Sequence, residues 1–164
     1  MNKKAGIPDG IFYMVAIFAV AIISIVGFLI MNSIGEQFDK TDGISDTGKV
    51  LFHKIEDRYV GIIDGAFLMI FIGVLIGVVV GVWFIKTHPA LFWITIPIFA
   101  FIIFLSAVYA NVFFNFSNSP KVIASTQAFT VIPFIMNNYA YVMTGVVILI
   151  AIALFAKGKG QTNE

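Results

Sequence analysis

Apolar residues in this chain do not alternate with polar ones; they gather into four long runs. No charged residue falls within 10–35, 65–85, 87–120 or 122–156. Each run exceeds the roughly 18–20 apolar residues that carry a helix across a hydrocarbon core. The pattern therefore predicts four membrane-spanning helices, over about 11–31, 61–86, 90–116 and 132–156. The first run follows Lys3 and Lys4, as in a signal peptide. It is longer than the roughly 7–15-residue core of a cleavable signal and no small-x-small site follows it, so it reads as a retained span.

The polar connections set the expected topology. Lys86-Thr87-His88-Pro89 is so short that the second and third spans must form an antiparallel hairpin, and Pro89 suits the first turn of a helix, where its missing N–H is not needed. The result is an all-α, up-down bundle with one long loop, 32–60. That loop opens with a turn-rich acidic part (Gly35, Glu36, Asp39, Asp42, Gly43, Asp46, Gly48) that cannot lie in lipid. Val50, Leu51, Phe52, Ile55 and Tyr59 then recur at helical spacing among Lys49, Lys54, Glu56, Asp57 and Arg58. This amphipathic part either lies at the interface or extends the second span; extension is favoured, because only Gly61 separates the two. In 117–131, Ser119-Pro120 reads as a cap and first helical residue of a short surface helix carrying Val122, Ile123 and Phe129.

Composition agrees with the pattern. Of 164 residues, 60% are apolar and 12% charged, about half the roughly one quarter that a soluble domain carries, which excludes a water-soluble globule. The absence of cysteine removes disulfide frameworks, thiolate catalysis and cysteine metal sites. A net charge of +1, with basic residues scattered, leaves no nucleic-acid footprint. Lys3, Lys4, Lys86, Lys157 and Lys159 fall on one side; Lys40, Lys49, Lys54, Arg58 and Lys121 fall on the other. The numbers tie, but the second set is diluted among six carboxylates, which places both termini on the cytoplasmic side. Tyr13, Trp83 and Trp93 then serve as anchors at one interface, and Tyr59, Tyr109, Tyr139 and Tyr141 lie near the other.

Three features bear on function. Gly61, Gly65, Gly73, Gly77 and Gly81 recur every four residues, with Met69 at the one other position, and form a small-residue stripe for close helix packing within the bundle or against another chain. Asp64 is the one charged residue inside, rather than at the end of, a predicted span. An intramembrane carboxylate is a functional candidate. Its place one turn from the interface favours a structural role as a cap or interhelical acceptor. The up-down order also brings Asp64, Asn111, Asn115, Asn137 and Asn138 to similar depth, a polar layer that either ties helices together or lines a water or ion path. Pro97 is expected to kink the third span. His53 and His88 are isolated, without a second ligand at metal spacing. No catalytic constellation, cofactor motif or metal site is expected, and the chain reads as non-enzymatic.

Asp64-Gly65-x-Phe67 leading into Ile72-Gly73-x-x-Ile76-Gly77, then Thr87-His88-Pro89-x-x-Phe92, Ala110-Asn111-Val112-Phe113 and Ile135-Met136-Asn137-Asn138 resemble the small multispanning virion membrane proteins of tailless DNA bacteriophages with a lipid membrane beneath an icosahedral capsid. The resemblance covers roughly 60–140. It implies a structural protein of the virion internal membrane, made in the host inner membrane, whose partners are the lipid bilayer, other copies, and other membrane or capsid proteins. The 32–60 loop lies outside the resemblance and is expected, on its own polar character, to be the protein-contact surface. A holin or small channel is the alternative expectation, and a noncatalytic subunit of a host membrane complex a second.

Overall fold

The computed structural model describes residues 7–84 and 89–160, with side chains described over 11–81 and 95–155. Among the described residues six helices follow in order: α1 (Ile7–Lys40), α2 (Asp46–Phe84), α3 (Pro89–Ser117), α4 (Ile123–Ala128), α5 (Val131–Asn137) and α6 (Tyr139–Gly160). No strand occurs among the described residues. α1, α2 and α3 are each long and apolar enough to cross a membrane, and α5 with α6 makes a fourth if that bent pair is one span. The chain is thus an all-helical integral membrane protein. α1 packs along α2 and α3 along α6, while α5 fits among the four long helices.

The core is read most simply from α1. Met14, Ile17, Ala21 and Ile25 recur at three- and four-residue steps and are buried. They meet Phe67 and Phe71 of α2, Phe113 of α3, and Ile132, Ile135 and Met136 of α5 in one cluster closed by Tyr139. The opposite faces of the long helices are also apolar (Phe12, Ile23, Met69, Ile76, Phe104, Ile152) but exposed, as surfaces solvated by acyl chains are.

Three expectations need correction. First, 32–60 is not a loop. α1 runs on to Lys40 and α2 already begins at Asp46, so only the residues between them turn. Packing explains why Gly35, Glu36 and Asp39 are helical here. The Phe38 and Phe52 rings meet at 4.9 Å between centroids, and Lys49 Nζ donates to the Asp39 carbonyl at 2.9 Å. A facing helix outweighs a weak local preference for turns.

Second, the fourth run is not one straight helix: α5 and α6 meet at a 68° bend at Asn138. Third, the helix after Pro120 starts at Ile123 and is not superficial. Ser119 instead closes a turn, its carbonyl accepting the Val122 and Ile123 N–H groups at 2.9 Å. Val122, Ser125, Thr126 and Phe129 are buried, and α4 lies on α1. The link 85–88 lies outside the described residues, and α3 continues through Pro97.

Candidate functional site: a carboxylate-capped helix junction

The start of α5 presents a problem that its own sequence does not solve. The first amides of a helix have no intrahelical partner, and a polar side chain at the N-cap commonly takes one of them. Thr130 occupies the N-cap of α5, but its side chain makes no capping bond. Asp64 of α2 does the work instead. The Thr130 and Val131 N–H groups each donate to Asp64 Oδ2 at 2.8 Å, and the Ile132 N–H donates to Oδ1 at 2.9 Å. The next residue, Pro133, has no N–H to satisfy, and the Phe134 N–H already reaches the Thr130 carbonyl at 3.4 Å. Every amide in the first turn of α5 is therefore accounted for.

Electrostatics favour the same arrangement. A carboxylate at a helix N-terminus meets the positive end of the peptide dipoles. Asp64 is 8% exposed, and the amides it binds lie beside the fully buried Ile132. Buried this deeply, an unpaired carboxylate or three unpaired amides would each be costly. Together they satisfy one another, and α2 is tied to the bent segment by charge-assisted bonds.

The other members of the expected polar layer do not join Asp64. Asn111 and Asn115 lie on the exposed face of α3 and bond each other, Asn115 Nδ2 donating to Asn111 Oδ1 at 2.9 Å. Asn138 Nδ2 donates to the Phe134 carbonyl at 2.8 Å, within its own bend, and Asn137 is exposed. These amides bond within their own helices or are exposed, and none of them joins the carboxylate.

The glycine stripe is corrected in a similar way. Gly61, Gly65, Gly73, Gly77 and Gly81 are exposed, and a Cβ built on any of them would have nothing within 4 Å. They do not pack inside this chain. Close approach of another helix is instead admitted by Gly27 and Gly35 of α1. A Cβ at Gly27 would lie 2.5 Å from the Tyr59 hydroxyl, and one at Gly35 would lie 3.1 Å from the Phe52 ring. With that space free, Tyr59 stacks on Phe28 at 6.1 Å and its hydroxyl donates to the Ser24 carbonyl at 3.4 Å. Among the proposed anchors, Tyr13 is exposed with its ring edge-on to Phe12. The side chains of Trp83 and Trp93 lie outside the described residues.

Comparison with known families, characterised proteins and solved structures finds no match. What the site can do is therefore read from its geometry alone.

A second polar cluster, missed because its histidine looked solitary, closes the α1–α2 hairpin. His53 Nε2 lies 3.1 and 3.2 Å from the two carboxylate oxygens of Asp39 on α1, and Nδ1 lies 3.1 Å from Glu56 Oε2 on α2. A neutral imidazole has one N–H, so both contacts are hydrogen bonds only when the ring is protonated. The bond to Asp39, then that to Glu56, raises the His53 pKa above 6.5 against a small opposing effect of desolvation. The two nitrogens face opposite partners and do not chelate. No group of three or more His, Cys, Asp or Glu residues suited to a metal occurs among the described residues.

Proposed function

We propose that this chain is a non-enzymatic structural component of a membrane. In this reading four spans, the bent α5–α6 pair being the fourth, alternate in direction, and the α1–α2 hairpin stands on one face as a contact surface for other proteins. The observation that carries it is the commitment of Asp64. The one carboxylate within a span accepts three backbone N–H bonds, which supports a structural use over proton transfer or ion binding. The exposed acids at the hairpin end, Glu36, Asp42 and Asp46, suit contact with a basic protein surface.

The resemblance over 60–140 gives this reading its specific form. The membrane is the internal one of a tailless icosahedral phage particle, reached through the host inner membrane, and the contacts are capsid or other virion membrane proteins. Fractionation of purified particles tests it: the chain should be extracted with the detergent-soluble virion membrane. Its absence from that fraction would sink the assignment.

The outward glycine stripe favours a second reading, a noncatalytic subunit held by a partner helix against Gly61, Gly65, Gly73, Gly77 and Gly81. Mild-detergent purification should then retrieve a fixed partner that Gly77→Leu releases.

A further inference from the structure

Helix α2 is longer than a bilayer requires. At about 1.5 Å per residue its 39 residues extend about 58 Å, whereas a hydrocarbon core is about 30 Å thick and the whole bilayer about 40–45 Å. The charged residues through Arg58 put the first turns of α2 at or beyond the headgroups. Their inner face is occupied: Phe52 packs on Phe38, His53 binds Asp39, and Tyr59 reaches α1.

The outer face of the same turns is not what water should meet. Val50, Leu51 and Ile55 are 67%, 59% and 54% exposed. Positions 51, 55, 58 and 62 follow one another by four, three and four residues, so Leu51, Ile55, Arg58 and Ile62 form one stripe, with Lys54 beside it. Further along α2 the stripe continues through Met69 and Ile76, also exposed, where the surroundings are acyl chains. Lys54 and Arg58 make no ion pair with any carboxylate of the described residues. Nearby Glu56 is turned to His53. An apolar face interleaved with free basic residues, continuous with a lipid-facing surface, has the composition of a helix seated in an anionic headgroup layer. A hydrophobic stretch longer than the hydrocarbon core is accommodated in part by tilting, and tilting lowers such a face onto the surface.

We propose that Val50, Leu51, Lys54, Ile55 and Arg58 dock on the headgroup layer of an anionic bilayer. The aliphatic side chains reach the acyl boundary, and Lys54 and Arg58 extend to lipid phosphates. The hairpin then leans on the membrane along α2 and leaves its acidic end free. This inference rests on the reading of the chain as membrane-spanning, and the experiment separates the two.

The chain has no cysteine, so single nitroxide labels can be placed cleanly in the full-length protein. Labels on Ile55→Cys, Leu51→Cys, Asp42→Cys and Ile76→Cys are compared in phosphatidylcholine vesicles with and without phosphatidylglycerol. At 51 and 55, access to a water-soluble nickel relaxant should be several-fold lower than at 42. It should fall further with phosphatidylglycerol, and Lys54→Gln with Arg58→Gln should abolish that response. Labels at both 51 and 55 as water-exposed as the one at 42 would overturn the proposal, as would shielding indifferent to anionic lipid. Shielding that grows with protein-to-lipid ratio and brings spin–spin broadening would also overturn it, assigning the face to a second copy. A water-exposed label at 76 would overturn the span itself.

Discussion

Two carboxylate junctions hold α2 to its neighbours, and they differ in almost every physical respect. At Asp64 the acid is buried and its partners are three main-chain amides of α5. At His53 the acids lie on α1 and α2 near the turn that joins them, about half of the His53 and Asp39 side-chain surface is in contact with solvent, and the shared partner is a titratable ring. The buried junction has few alternatives to its bonds, since Asp64 and Ile132 are shut off inside the fold and a polar group left unpaired there is costly. The exposed one exchanges its bonds for water at little cost. Similar distances therefore stand for very different contributions, and burial decides which junction the fold depends on.

Removing the buried acid should produce the largest effect. Asp64→Ala leaves three amides unpaired and is expected to cost about 3–5 kcal/mol, with Asp64→Asn intermediate because one acceptor oxygen remains. Unfolding by detergent titration would measure both, and a loss under 1 kcal/mol for Asp64→Ala would erase the contrast between the junctions. Next comes the α1–α2 contact: Gly27→Leu drives a side chain into the Tyr59 hydroxyl and should cost about 1–3 kcal/mol, read by the same titration. Gly73→Ala, in open space, should instead be neutral or stabilise by about 0.5–1 kcal/mol. A marked loss there would show that a partner occupies the stripe.

The smallest change belongs to the exposed junction, and it depends on pH. The folded-state pKa of His53 is raised, so its contribution is fully present below about 6.5, the ordinary histidine value, and is lost as pH rises through the raised folded-state value. Amide exchange in 36–56, once corrected for the intrinsic pH dependence, should quicken across that interval in the native chain. It should lose this step in His53→Gln, while the core near Asp64 stays protected in both. An unchanged step in the variant would remove His53 from the junction.

The parts legible in the sequence are those that the bilayer imposes. Acyl chains cannot satisfy a backbone amide, so a span must be a long apolar helix, and charge-free runs reveal it. The bend at Asn138 left no such trace because apolar residues flank it on both sides within one run. Direction around a helix was equally hidden. Spacing singled out the five glycines of α2, yet those that admit a neighbour are Gly27 and Gly35, eight residues apart on the buried side of α1. Sequence showed that Asp64 needed donors but could not name them, since they lie 66–68 residues away. A proline at the third position of α5, where a missing N–H does no harm, was the one local hint.

The cap on α5 also constrains the order in which the chain can be assembled. Residues 130–132 carry amides that their own segment cannot finish, and their acceptor sits on a helix synthesised earlier. α5 can bury its first turn only once α2 is in place and has turned Asp64 toward it. Until then the amides of residues 130–132 need another acceptor, which water can supply. The first turn of α5 is thus completed by a helix from the first half of the chain, and a single carboxylate makes its burial a tertiary event rather than a local one.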